Sequence, residues 1–232
     1  MMSQSVNYQF DDGISTITMD DGKVNAMSVK MQQAIHAALD SAEKDGGVVV
    51  LCGNQKLFSA GFDLKLFQSG GDDLRAMLVG GAELSRRLLS FPTPVVAACT
   101  GHAMAMGFFL LLSCDYRVGT DAEAKLTANE VAIGLTLPYF AIEVCKQKLA
   151  PTYLARVMHL AEPFYGDAAV SANILDSAVK PEAVISTAHA RAQQLTQLNL
   201  SAYKATKLRA IGQRLAELDR AIEKDKDIWA GR

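Results

Sequence analysis

The sequence predicts an α/β fold whose last third is helical. Two observations carry that prediction. Strand-like apolar runs, VVVLCG and PVVAACTG, alternate with amphipathic helical stretches in the first half of the chain, and from Pro138 onward the pattern is helical almost throughout. No fixed-period repeat, low-complexity tract or long polar linker interrupts the 232 residues. The simplest organisation is a core over 1–185 and a C-terminal helical region over 186–232.

The chain opens on VNYQFDDGISTITMDDG, where apolar and polar residues alternate on either side of the turn dipeptide Asp12-Gly13, so two antiparallel strands are expected. A helix follows over SVKMQQAIHAALDSAEKD, with Ser28 as its N-cap and Met31, Ile35 and Leu39 at helical spacing. VVVLCG is continuously apolar, the character of a strand covered on both faces. A second amphipathic helix, DDLRAMLVGGAELSRRLLSF, is closed by Pro92 and Pro94, and PVVAACTG reads as the next buried strand. AMAMGFFLLLSCDY is apolar on all sides and has the length of a buried helix, after which YRVGT restarts a short strand. Beyond Pro138, FAIEVCKQKLA, PTYLARVMHLA, YGDAAVSANILD and PEAVISTAHARAQQLTQL read as helices. The last stretch is charged, with an apolar stripe through Leu208, Ile211, Leu215, Leu218 and Ile222 that suits self-assembly.

Composition removes several classes of function. Half the residues are hydrophobic, 21% are charged and the net charge is −2, so neither disorder nor a nucleic-acid partner is expected. The N-terminus lacks the basic-then-apolar design of a secretory signal, and the run around MAMGFFLLLSC is too short to span a bilayer. A soluble, cytoplasmic protein with no membrane partner is the expectation. Cys52, Cys99, Cys114 and Cys145 are widely spaced, form no CxxC and read as buried free thiols. His36, His102, His159 and His189 are scattered outside any HExxH, so no metal is expected. GxGxxG, GxxxxGK[ST] and GxSxG are all missing, which leaves dinucleotide, P-loop and serine-hydrolase readings without a motif.

Three stretches carry chemistry. In KLFSAGFDLKLF, Gly61 permits a tight turn with exposed backbone N–H groups. In TGHAMAMGFFLLLSCD, a Gly-bearing turn leads into a helix whose N-terminus offers unpaired donors and partial positive charge. Two such donor sets could converge on one oxygen and stabilise an enolate, although each alone resembles an ordinary strand-ending turn. The third stretch, LTANEVAIGLTLPYF, sets one acid, Glu130, among Val131, Ile133, Leu135 and Leu137. A desolvated carboxylate has a raised pKa and suits proton transfer near neutrality, whereas on a surface loop it would be an ordinary acid.

In this order FSAGFDL, GHAMAMGFFLLLSCDYRV and NEVAIGLTLPYF, with GKVNAMS ahead of them, resemble the crotonase, or enoyl-CoA hydratase/isomerase, family. The resemblance runs from about residue 6 to the AYKATK helix near residue 207. It implies a crotonase-like ββα spiral core, with a C-terminal helical region that supports homotrimers or hexamers. It implies an acyl-CoA substrate, so that coenzyme A arrives as part of the substrate and no separate cofactor is needed. The thioester oxygen would be held by the backbone N–H groups of Phe62 and Met106, within the turns built by Ala60, Gly61, Asp63 and Gly107. The family usually has Gly where Met106 stands, so this side chain could crowd the pocket or alter the turn.

Hydratases of the family use two glutamates. One matches Glu130, and the other falls on Phe109, which cannot orient water. A single glutamate suffices to move a double bond, and NEVAIGLTLPYF is similar to the loop of the mitochondrial-type 3,2-trans-enoyl-CoA isomerases. The expected activity is therefore enoyl-CoA isomerisation with Glu130 as the proton shuttle, Asn129 orienting it by a hydrogen bond, and Phe108 and Phe109 keeping it dry. Hydration is the alternative if another acid, such as Glu83, replaces the missing carboxylate. A second alternative is a degenerate subunit that binds acyl-CoA without turnover. Lys23 and Lys65 either meet CoA phosphates or are ordinary solvated lysines.

Overall fold

The computed structural model of the chain describes residues 5–231. Strands β1 (Val6–Asp11) and β2 (Ile14–Met19) form the expected hairpin, with Asp11 opposite Ile14 and both turn residues at positive φ, the geometry that matches strand twist. Helix α1 (Val29–Asp45) starts at Ser28, whose Oγ accepts from the Met31 N–H. There follow β3 (Val48–Cys52), β4 (Leu57–Ser59), α2 (Leu64–Ser69), α3 (Gly71–Leu89), β5 (Val95–Cys99), β6 (His102–Met104), α4 (Met106–Leu112), β7 (Tyr116–Thr120) and β8 (Leu126–Thr127). The remainder comprises α5 (Tyr139–Lys148), α6 (Leu154–Met158), α7 (Gly166–Ser171), β9 (Ser177–Val179), α8 (Val184–Leu195) and α9 (Leu200–Ala230).

Two sheets result. The larger has the order β1-β2-β3-β5-β7-β9 and is parallel except for the opening hairpin, while β4-β6-β8 form a separate parallel sheet. The chain alternates between them: β3 leads to β4, β5 to β6 and β7 to β8, and each pair continues into helix, which is the ββα spiral. The apolar strands behave as their composition requires. Val49 and Leu51 of β3 face the main core with α1 and α3, whereas Val48, Val50 and Cys52 pack with Val184, Ala188 and Ala192 of α8 on the other face. All four cysteines are free and buried. Among the described residues no helix is long and apolar enough to cross a membrane.

Several expectations need correction. AMAMGFFLLLSCDY is not one helix: Ala103 and Met104 belong to β6, and α4 begins only at Met106 because Ala105 takes a positive φ that no helix accommodates. The two- and three-residue strands of the small sheet are too short to leave an alternation pattern. YGDAAVSANILD is helical only through Ser171, and Ser177–Val179 leaves the helical third to become the edge strand of the main sheet. The 185/186 boundary falls inside α8, which packs on the main sheet as a unit. Leu215, Leu218 and Ile222 of α9 are buried in the chain's own core rather than reserved for another subunit, while Leu208 stays exposed.

The GKVNAMS segment joins the two sheets through one side chain. Asn25, fully buried at φ 49, donates through Nδ2 to Met19 O at 3.0 Å, at the end of β2, and to Phe58 O at 3.1 Å in β4, while its Oδ1 accepts from the Asp21 N–H at 3.0 Å. Asn also tolerates the left-handed backbone better than most residues. Asn25→Ala should therefore lower unfolding stability by about 2–4 kcal/mol, with Asn25→Gly losing less because it relieves the backbone. Denaturant midpoints of the two variants check that order.

Candidate active site

Because β4, β6 and β8 are parallel, their C-terminal ends share one edge of the small sheet, the position where parallel strands commonly present ligand-binding loops. Ser59 pairs with Ala103, and Met104 with Thr127. Phe62, Met106 and Glu130 lie three residues beyond Ser59, Ala103 and Thr127 respectively, so the register delivers all three to that edge.

The two turns touch backbone to backbone. Ala60 N–H donates to Val24 O (3.0 Å), Met27 N–H to Gly61 O (2.8 Å), and Ser59 Oγ accepts from Gly61 N–H (3.1 Å), which draws the first turn inward. Gly61 has φ +94, and a Cβ there would stand 2.8 Å from Met104 O and 3.3 Å from Met106 N. A Cβ on Gly107 would lie only 2.5 Å from Ser59 O. Neither position accepts a side chain without separating the turns.

Met106 itself begins α4 and is not at positive φ; the unusual conformation sits one residue earlier, at Ala105 (φ 48, ψ −122). Such a backbone costs on the order of 1–3 kcal/mol. It is held by Ala105 N–H to Thr127 O (3.0 Å) and by the N–H groups of Phe108 and Phe109, which donate to Ala105 O. The Met106 side chain turns into the core, its Sδ against Gly81 of α3, where the Phe62 ring also packs. Neither the Phe62 nor the Met106 N–H has an internal acceptor among the described residues.

Glu130 follows β8, which is fixed between β6 and Phe164, and opens a 3-10 turn in which Ile133 and Leu135 N–H donate to its carbonyl. It is 7% exposed, although its sequence neighbours Val131 and Ile133 are 46% and 51% exposed. Its burial comes from tertiary packing rather than from the apolar residues beside it in sequence. Cys145 of α5 lies close enough to feel its charge. Burial pushes the Glu130 carboxyl up to about 7, opposed in part by a backbone hydrogen bond, and its Oε2 has no hydrogen-bond partner. Phe109 is buried too, edge-on to Phe108 and to Phe140 of α5 with ring centroids 5.8 Å apart in each pair.

A groove of about 750 Å³ runs beside the first turn, lined by Lys23, Lys30, Lys65, Ala26 and Asp63. Asp63 is the N-cap of α2, its Oδ1 accepting from Lys65 N–H at 3.0 Å. Asn129 does not orient Glu130 as expected. No hydrogen bond joins the two, and Asn129 Oδ1 is itself buried without a partner.

The chain matches the enoyl-CoA hydratase/isomerase family over residues 9–229. It belongs to that family. A probable enoyl-CoA hydratase of Bacillus subtilis (strain 168) is 31% identical over 203 residues, 83% of this chain and 76% of that protein. The enoyl-CoA hydratase EchA3 of Mycobacterium ulcerans Agy99 superposes with a TM-score of 0.93 at 47% identity, over 96% of this chain and 98% of that one. An apo enoyl-CoA isomerase of Mycobacterium tuberculosis superposes with a TM-score of 0.92 at 45% identity, over 96% and 97%. That same protein has also been solved under the name probable enoyl-CoA hydratase.

Glu83, the acid considered for a second role, sits on α3 beside α9. It is half-exposed and ion-pairs with Lys226 of α9 at 3.1 Å. Sequence reasoning missed Asn25, Ser59 and Gly81, which shape the turns, because their contacts join residues far apart in the chain. Lys30 was missed because its helix reads as an ordinary amphipathic one. A buried acid also has a stability consequence. Glu130 ordinarily titrates near 4.5 but near 7 in the fold, so the folded chain retains a proton that the unfolded chain releases, and stability falls as pH rises between those values. Glu130→Gln should be more stable than the parent by up to about 3 kcal/mol at pH 8 and nearly equal to it at pH 4.5, as read from denaturant unfolding at each pH.

Proposed function

We propose that the enzyme moves the double bond of a 3-enoyl-CoA to the 2-position, with Glu130 as its single proton carrier. The Glu130 carboxylate takes a proton from C2, and negative charge passes to the thioester oxygen, where the Phe62 and Met106 N–H groups receive it. The resulting dienolate is reprotonated at C4 by the same carboxyl, which leaves the double bond between C2 and C3 and returns Glu130 to its starting state. Each oxyanion donor contributes on the order of 3–4 kcal/mol in comparable sites. Lys23 and Lys65, with Lys30, are assigned to the CoA phosphates as point charges beside the first turn. Homotrimers or hexamers and a cytoplasmic location belong to the same proposal.

The observation that carries this reading is a lone buried carboxyl, poised near neutrality, at the same sheet edge as two free N–H groups, and the family resemblance adds that Phe109 stands where a hydratase has its other glutamate. The ion pair of half-exposed Glu83 with Lys226 supports leaving it out of the second role. Met106, whose side chain turns away from the turn, no longer argues for a degenerate subunit. Hydration is the second reading, favoured by the names of the Bacillus and M. ulcerans relatives.

Turnover of 3-enoyl-CoA and 2-enoyl-CoA followed by mass separates the two: an isomer of unchanged mass supports the shuttle, and product heavier by one water supports hydration. Glu130→Gln should reduce kcat by roughly 10²–10⁴ while retaining acyl-CoA binding. Because the base must start ionised, kcat/KM should rise with pH through about 7.

A further inference from the structure

We infer that Asp225, near the end of α9, is a positioning residue for the loop that carries Glu130; this rests on the assignment of Glu130 as the proton carrier. The loop runs from Glu130 to Pro138 between two anchors. Upstream, β8 is paired with β6 and bridged to Phe164. Downstream, α5 has no side-chain cap of its own, since its N-cap is Pro138. Asp225 supplies one from the other end of the fold: Oδ1 accepts from Tyr139 N–H at 2.9 Å and Oδ2 from Phe140 N–H at 2.8 Å. The carboxylate is 2% exposed, and such burial is tolerated only where charge-assisted bonds and the positive end of a helix compensate for lost water.

Between these anchors the loop holds itself weakly. Val131, Ala132, Ile133, Gly134 and Thr136 are exposed, Leu137 is the one residue of 131–138 buried in the core, and the backbone bonds within the loop are those of one short turn. The placement of Glu130 in its apolar pocket therefore depends on the ends. One turn beyond Asp225, Trp229 lies edge-on to Phe140 at 6.4 Å, and Phe140 to Phe109 at 5.8 Å, so the same face of α9 also supports the aromatic wall. Releasing the cap frees the start of α5 and lets Glu130 move toward water.

The test compares Asp225→Ala and Asp225→Asn in the full chain with Leu218→Ala, which weakens the buried face of α9 without touching the cap. Two quantities are read: kcat and KM on trans-3-hexenoyl-CoA, and the titration of the Glu130 carboxyl by carbon NMR, assigned with Glu130→Gln. Asp225→Ala should lower kcat at least about tenfold with KM within about threefold. It should also move the Glu130 titration down by about one pH unit or more as the carboxyl becomes hydrated. Asp225→Asn, which keeps an acceptor, should fall between it and the parent, and Leu218→Ala should move neither quantity. Parent-like kcat and titration in Asp225→Ala, or equal losses in Leu218→Ala, would overturn the inference. Should Asp225→Ala not fold, the Glu130 titration in Asp225→Asn decides: a lowered midpoint supports the inference and an unchanged one defeats it. A fully active Glu130→Gln would sink the shuttle assignment alone, and the titration would still judge the positioning.

Discussion

The site depends on how closely the backbone leaving β4 approaches the backbone leaving β6. Gly61 and Gly107 have no room for a Cβ because each faces main-chain atoms of the opposite turn. The strained conformation of Ala105 is the complement of that contact: it turns the chain sharply enough for α4 to begin at Met106 with its first N–H pointing out of the helix. A wider separation would move the two donors apart, and two donors on one oxygen are useful only when both reach it. Asn25 and Ser59, which anchor the first turn to the segment before α1, act in the service of that distance.

A second constraint is the placement of charge. Glu130 and Asp225 are both buried acids, and the structure treats them oppositely. Asp225 receives two N–H groups at a helix start, whereas one oxygen of Glu130 is left without a partner among apolar groups. The first arrangement stabilises an anion and fixes structure; the second destabilises the anion and makes it a base that can hold a proton near neutral pH. The last helix thus belongs to the architecture of the site, through Asp225 and Trp229, as well as to the surface of the molecule.

Much of this was legible before folding was considered. The hairpin at Asp12-Gly13, the cap at Ser28 and the doubly covered strand VVVLCG follow from local chemistry and periodicity, and each is present. The small sheet was not legible, because strands of two or three residues carry no period and owe their existence to neighbours supplied by distant segments. β9 was hidden for the same reason, inside a stretch whose composition is helical. Glu130 was singled out for a reason that proved incomplete, since Val131 and Ile133 beside it face outward and only Leu137 of the apolar residues named with it is buried.

By itself the sequence determined the α/β alternation, the two Gly-bearing turns and the lone acid, because these are properties of residue type and short spacing, while the place of Phe109 opposite that acid came from the family resemblance. Only the tertiary structure decided that the two turns meet, that Met106 turns its side chain into the core, that Glu83 belongs to an ion pair with α9 and that Asp225 caps α5. Those outcomes depend on the register of a three-stranded parallel sheet and on helix docking across 85 to 143 residues of chain, distances over which a single sequence carries no local signal.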